Sequence, residues 1–396
     1  MDISWIASSR YGGFGSSNHV EELRLMVRRW IASRMSRIEA SGIRKAFELA
    51  QGLADPIDLS IGLPDFDAPE EAKEAAIRAV RAGHSRYTLT QGLPELRERL
   101  REEVRTRLGQ PERELMVTSG SAGGLTLALC ATVEPGDEVI IPDPYFVMYV
   151  NLVHLAGGTP IFVDTYPDFR LDPDRIQAAL TSRTKCLILN SPNNPTGVVA
   201  GAEELRAIVD RCRKAGVLVL SDEVYRSFCF DGPCVSPAEF DPNVLVIDGF
   251  SKSHGMTGWR LGFAHGPAAL IAEMAKLQQF TFICAPSLVQ HAGLAALEAD
   301  LSAHLATSKA RRDRVVAALS HDYELTPPGG AFYAFPKIPS RFASATEFAA
   351  EAVRHRLLII PGSVFSRRDT HFRLSHAVPT ERLERGLEVL RCLARA

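Results

Sequence analysis

The chain has 396 residues, 46% of them hydrophobic, with 45 lysines and arginines set against 47 aspartates and glutamates. That length exceeds one typical hydrophobic core, so a large domain with a smaller companion is expected, and the near balance of charge argues against a nucleic-acid or anionic-membrane partner. No apolar run reaches the roughly 20 residues a spanning helix needs, and the seven cysteines are scattered, odd in number and without a C-x-x-C pair, which speaks against a metal site and for a reducing, cytoplasmic setting.

The first 35 residues differ from the rest. SSRYGGFGSSN (8–18) is a Gly/Ser stretch, and in the following HVEELRLMVRRWIASRM the residues Val20, Leu23, Val27, Trp30 and Ile31 recur at helical spacing, the mark of an amphipathic helix. Glu21 and Glu22 fall where targeting peptides avoid acid. Residues 1–35 therefore read as an N-terminal extension or arm that docks on a partner subunit, with Met35 as an alternative start. From about 62 to 265, strand-like runs alternate with helical stretches: LMVTS (115–119), DEVIIP (137–142), KCLILN (185–190), VLVLS (217–221) and VLVID (244–248), with helices such as AEELRAIVDRCRKAG (202–216) between them. This pattern predicts an α/β fold whose mainly parallel sheet is sandwiched by helices. The expected division is a large domain over 61–299 and a smaller α+β domain over 36–60 and 300–396.

Ligands of such sheets bind beyond the carboxyl ends of the strands, so the residues just after each strand carry the functional information. After 115–119 comes GSAGG at a helix start, after 185–190 SPNNPTG, after 217–221 Asp222, and after 244–248 GFSK with Lys252. A lysine at the edge of a core is useful when its amine condenses with an aldehyde to a Schiff base, and pyridoxal phosphate is the cofactor that matches. A carboxylate behind an apolar strand needs a cationic partner. For Asp222 a pyridinium nitrogen is one, and a helix N-cap role is the plain alternative. Gly120, Ser121 and Ala122 offer N–H groups to a phosphate at a helix N-terminus. Arg260, eight residues beyond Lys252, offers a fixed cation, and the Ser251 hydroxyl a further bond.

Taken singly, each residue has a plainer reading. Lys252 would be solvated, Phe146 part of a core, Asn194 a turn residue, Arg373 an outward strand charge, Tyr87 and Tyr225 packing tyrosines, and His254 a satisfied loop histidine. Their order across separate strand ends favours a common site.

SKSHGMTGWRLGF (251–263) resembles the lysine segment of the fold-type I pyridoxal-phosphate aminotransferases of class I/II, the aspartate/aromatic kind. NSPNNPTG, SDEVY and RLS resemble their other signature stretches in the same order, and the likeness runs from SGIRKAFELA (41–50) to the C-terminus. The resemblance implies a homodimer with shared active sites and a ping-pong exchange between an amino acid and a 2-oxo acid. In it Lys252 bonds the cofactor and then moves the substrate proton, and Asp222 pairs with the ring nitrogen. Asn194 and Tyr225 bond the phenolic oxygen, Phe146 stacks on the ring, and Tyr87 reaches the phosphate of the neighbouring subunit. Arg373 would grip the substrate α-carboxylate, with Gly62 and Asn194 against the same group. Ala122 stands where aspartate-preferring relatives place a second cation. An apolar or aromatic donor is therefore expected, with Phe146, Phe14 or FTFICAP (280–286) as lining. The same residues would serve a C–S β-lyase, a decarboxylase or an oxidase of this fold. A non-catalytic regulator is the remote alternative, because it needs a fused DNA-binding domain that the first 34 residues do not supply.

Overall fold

A computed structural model describes residues 26–39, 42 and 53–395. They fall into two compact units that divide between Glu39 and Ala40. In the first, residues 26–30 are helical and Ser33–Arg37 form a 3₁₀ helix with no buried residue. Phe14, Val20 and Leu23 lie outside the described residues, as does all of 41–50 except Gly42.

The second unit contains strands β1 (Ile57–Asp58), β2 (Glu114–Thr118), β3 (Glu138–Asp143), β4 (Thr159–Asp164), β5 (Thr184–Asn190), β6 (Leu218–Asp222), β7 (Leu245–Gly249) and β8 (Gly262–Gly266). All but β1 form one sheet in the order β2-β8-β7-β6-β5-β3-β4, with β8 antiparallel to both its neighbours and the β4-β3-β5-β6-β7 ladders parallel. Successive side chains leave opposite faces of a strand, and the core divides accordingly. Ile141, Ile188, Leu220 and Ile247 pack with Leu125, Leu129, Val153 and Met274 from the helices Gly120–Thr132, Met148–Ala156 and Ala268–Thr281. Their chain neighbours Ile140, Leu187, Val219 and Val246 pack on the other face with Leu205, Ile208 and Val209. Burial of both faces is why these strands read as continuous apolar runs.

The helix Ala202–Ala215 shows the local logic. It begins where the Glu204 side chain accepts the Gly201 N–H at 3.0 Å, buries Leu205, Ile208, Val209 and Cys212, and stops at Gly216, whose φ of 70° suits a residue without Cβ.

A further core is made by Ile57 and Leu59 with Val315, Leu319, Phe348, Leu357, Phe372, Leu374 and Leu390. Its short strands are β9 (Tyr333–Ala334), β10 (Leu357–Leu358), β11 (Ile360–Pro361) and β12 (Phe372–Ser375). Strand β1 pairs in parallel with β10, and β12 lies between β11 and β9, antiparallel to both.

The anticipated strands are all present within a residue or so of their expected bounds. Strands β4 and β8 were not anticipated: TPIFVD is rich in strand formers but carries Pro160 as its second residue, which an edge strand tolerates, and GFAHG carries two glycines and a histidine, which weaken the strand signal. The small shifts matter for the site. Asp222 is the last residue of β6 rather than the first beyond it, and Lys252 sits on a helical turn, Phe250–Ser253, instead of a loop. Among the described residues no helix is long and apolar enough to cross a membrane, and no cluster of three or more His, Cys, Asp or Glu could hold a metal ion.

Candidate active site

Because β5, β6 and β7 run in parallel, their carboxyl ends open at one edge, where Asn190 and Asp222 sit side by side in register. A cavity of about 430 Å³ lies there, within the range of small-molecule sites. Gly62, Ser121, Ala122, Phe146, Asn194, Asp222, Tyr225, Ser251, Lys252, Arg260 and Arg373 all line it. Gly120, the chain neighbour of Ser121, is not part of the lining. Tyr87 does not line this cavity and is 78% exposed.

Part of the lining can cradle an anion. The helix Gly120–Thr132 opens at Gly120, so the N–H groups of its first turn have no partner within the helix. A Cβ on Gly120, whose φ is +71°, would lie 2.3 Å from Arg260 Nη2, so only glycine lets the guanidinium approach this turn. Arg260 is anchored by an Nη1–H bond to the Thr257 carbonyl at 3.0 Å. Ser251 is buried, and its hydroxyl has no hydrogen-bond partner among the described residues. Buried hydroxyls are normally satisfied, so an unmet one beside a guanidinium and a helix start points to an absent anion.

The same cavity holds an acid. Asp222 is 3% exposed; Tyr149 donates its hydroxyl to Oδ2 at 2.7 Å, and the Val224 N–H reaches Oδ1 at 3.3 Å. Burial pushes the Asp222 pKa up to about 6 against those two bonds, and the charges of Asp248 and Glu223 add to the rise. Such a carboxylate suits a cationic group placed in the cavity.

Lys252 lines the cavity as well. Its Nζ donates to the Gly62 carbonyl at 2.7 Å and stands 6.0 Å from the centroid of the Tyr225 ring. Burial lowers its pKa to about 8, the positive charges of Arg373 and Arg260 lower it further, and Asp222 opposes them. The result is an amine far more often neutral than an exposed lysine, and therefore a better nucleophile and base.

Arg373 is buried at 1% exposure in β12, all of whose residues are buried, so it is not an outward strand charge. It donates through Nη1 to Asn194 Oδ1 at 3.0 Å and through Nη2 to the Ser60 carbonyl at 2.8 Å, while Nε is unmatched among the described residues. The guanidinium is sandwiched between the rings of Tyr333 and Phe365, 4.6 and 4.4 Å from their centroids. Burial lowers its pKa. A guanidinium held by aromatic faces and neutral oxygens keeps its charge for a ligand carboxylate.

Some members of the site were not legible in the chain. Tyr149 and Tyr333 both line the cavity, and the Tyr333 hydroxyl lies 2.9 Å from that of Tyr225. Tyr149, three residues after Phe146, has a weak signal in its helical spacing, whereas Tyr333 has none. The walls are Ile61, Leu63, Leu125 and Met148, and no residue of FTFICAP contributes: Phe280 is 84% exposed instead. His254 bonds Ser253 Oγ through Nδ1 at 2.8 Å, has its pKa lowered by burial to about 4, and does not line the cavity.

A neutral-prone lysine, a buried acid, an anion cradle and a buried arginine, gathered where parallel strands end, suit an α/β enzyme whose cavity can take a small anionic molecule. The sequence profile of the aminotransferase class I and II family matches residues 54–390, and the chain belongs to that family. It is 36% identical over 375 residues to aspartate aminotransferase of Pyrococcus abyssi and 35% identical over 375 residues to aromatic-amino-acid aminotransferase 2 of Thermococcus litoralis, in each case across 90% of this chain and 96% of the relative. The structure of Thermus thermophilus aspartate aminotransferase with maleate superposes with a TM-score of 0.87 at 34% identity, covering 92% of this chain and 99% of that one. The chain is an aminotransferase of fold type I.

Proposed function

We propose that the cavity holds pyridoxal phosphate and that the enzyme moves an amino group between an apolar or aromatic L-amino acid and a 2-oxo acid. The observation that carries this reading is the set of unspent polar groups around one cavity: the Ser251 hydroxyl, the first-turn N–H groups, Arg373 Nε and a carboxylate raised by burial. When bound, pyridoxal phosphate supplies an aldehyde carbon for amine exchange and a protonated ring that accepts the electrons of a broken Cα–H bond.

Each residue has a task towards that group. Ser121, Ala122, Ser251 and Arg260 would hold the phosphate, Asp222 the ring nitrogen with its proton, and Asn194 with Tyr225 the phenolic oxygen, while Phe146 would cover the ring. Lys252 acts as nucleophile and then as the base that takes the α-proton on Nζ. With its pKa at about 8, about one amine in ten is neutral at pH 7, against roughly one in 3,000 for an unshifted lysine. Arg373 would orient the α-carboxylate of donor and acceptor in turn, which fits a ping-pong order.

The substrate side chain meets Leu63, Leu125 and Met148, and the lysine and arginines of the lining, Lys252, Arg260 and Arg373, already have tasks. A distal carboxylate would thus lack a counter-charge, which supports an apolar or aromatic donor. The exposure of Tyr87, away from its own cavity, fits a homodimer in which it reaches the partner's phosphate. The separate core that joins Ile57 and Leu59 to Val315, Phe348 and Leu374 fits a smaller domain that includes 300–396 and the segment before 60, whereas residues 36–39 of the expected 36–60 piece fall in the first unit; the seven free cysteines fit a cytoplasmic setting. Absorption spectra recorded while single amino acids are added test the reading. Phenylalanine should convert the aldehyde-state band to the aminated-cofactor band faster than aspartate does. Equal rates would remove the substrate assignment, and lasting release of ammonia without cofactor amination would remove the reaction.

A further inference from the structure

Tyr149 lines the cavity, and the roles above leave its close contact with the Asp222 carboxylate unused. It stands in the first turn of the helix Met148–Ala156, 2% exposed, with its hydroxyl 2.7 Å from Asp222 Oδ2 and its ring meeting Phe146 edge-on at 5.7 Å and 85°. We propose that Tyr149 is a positioning residue that holds Asp222 ionised and fixes its carboxylate plane towards the ring nitrogen, a role that rests on the cofactor reading above.

The direction of the bond is set by the chemistry of the partners. An ionised carboxylate only accepts, so the phenol donates, and the bond favours the charged acid. Burial and the Asp222 charge raise the pKa of Tyr149 well above its ordinary value, so it remains a donor throughout the neutral range. The other groups facing Asp222 do not replace it. Asp248 and Glu223 push its pKa up, Tyr225 bonds Tyr333, and Lys252 bonds the Gly62 carbonyl. Asn190, the neighbour in register, spends its amide on the Asp222 backbone carbonyl at 3.0 Å. That leaves Tyr149 on Oδ2 and the Val224 N–H on Oδ1, one anchor per oxygen. With Asp222 already raised to about 6 by burial, loss of the phenol bond brings its titration into the neutral range.

Tyr149→Phe keeps the ring and removes the bond. In cofactor-free protein carrying ¹³C-labelled aspartate, the infrared titration of Asp222, isolated by difference against Asp222→Asn, should move up by about one unit, a tenfold change. The dissociation constant for pyridoxal phosphate at pH 7 should rise about twofold in the same variant, as the ionised fraction of Asp222 falls from about nine-tenths to about one half. Placing 3-fluorotyrosine at position 149, a stronger donor of nearly the same shape, should move the Asp222 midpoint down, which a packing role does not explain and which serves if the phenylalanine variant folds poorly. An unmoved midpoint in both variants overturns the proposal. If the midpoint moves but the unaltered protein binds no pyridoxal phosphate, the cofactor reading falls while the hold of Tyr149 on Asp222 stands.

Discussion

Asp222 and Glu223 are chain neighbours at the end of β6, both buried, and they lie in opposite electrostatic settings. Glu223, 2% exposed, takes Arg107 Nη1 at 3.1 Å and the hydroxyls of Ser221 and Ser236, and close by Arg226 bridges Asp248 and Glu103 at 3.2 and 3.3 Å. Asp222 turns the other way, to a phenol, one N–H and a cavity where Lys252 and Arg373 are bonded to neutral oxygens. In the first cluster charge is compensated within the protein and holds elements together. In the second it is left uncompensated, at a cost in stability, and becomes available to a ligand.

The difference can be broken from either side. The largest effect is expected on the cavity side: Lys252→Ala should lower transamination about a thousandfold or more, since nucleophile and base are lost together, while a melting curve shows no loss of stability, because a desolvated cation has been removed. Asp222→Asn should lower turnover about a hundredfold through the lost charge on the ring nitrogen, read in steady-state kinetics with saturating cofactor. Arg107→Met acts on the compensated cluster and should cost about 2 kcal/mol in denaturant unfolding, below the full value for a broken buried pair because the Arg107 side chain keeps 20% exposure. Turnover per folded molecule should be unchanged. Arg373→Lys should raise KM about tenfold more than it changes kcat, since an ammonium cannot copy the planar fork.

The smallest effects are those of pH: the two pKa values are shifted in opposite directions, so both loading rate and affinity rise with pH but through different midpoints. Lys252 is the neutral nucleophile only above its lowered pKa, so the rate of cofactor loading should climb with pH and level off above about 8. Asp222 attracts a cation only when ionised, so cofactor affinity should fall as pH drops through about 6. Loading rates and equilibrium titrations across pH 5 to 9 (roughly one unit beyond each midpoint) separate the two.

The sequence carried the sheet and most of the cavity because parallel strands buried on both faces appear as apolar runs, and the residues just past each run face the ligand edge. Hence Asp222, Lys252, Asn194 and Ser121 could be assembled from order alone. Contacts across long stretches of chain could not. Tyr333 meets Tyr225 from 108 residues away, and nothing around it marks that pairing. Arg373 sits in HFRLSHA, whose alternation reads as a strand with one solvent-facing side, yet β12 is the middle strand of its small sheet and is wholly buried. The apolar stretch at 280–286 was expected to line the substrate site, but Phe280, Phe282 and Ile283 are exposed. Composition alone does not say which way such a segment faces.

The chemistry rests on the amine of Lys252, in this cavity, as the group that bonds the cofactor. Borohydride reduction of the protein loaded with pyridoxal phosphate, with protease digestion and mass spectrometry afterwards, probes that bond without relying on turnover. A single stable adduct is expected on the peptide containing Lys252, absent when Lys252→Ala is treated the same way. An adduct confined to another lysine, such as Lys185 or Lys276, or no adduct at all, would overturn the assignment.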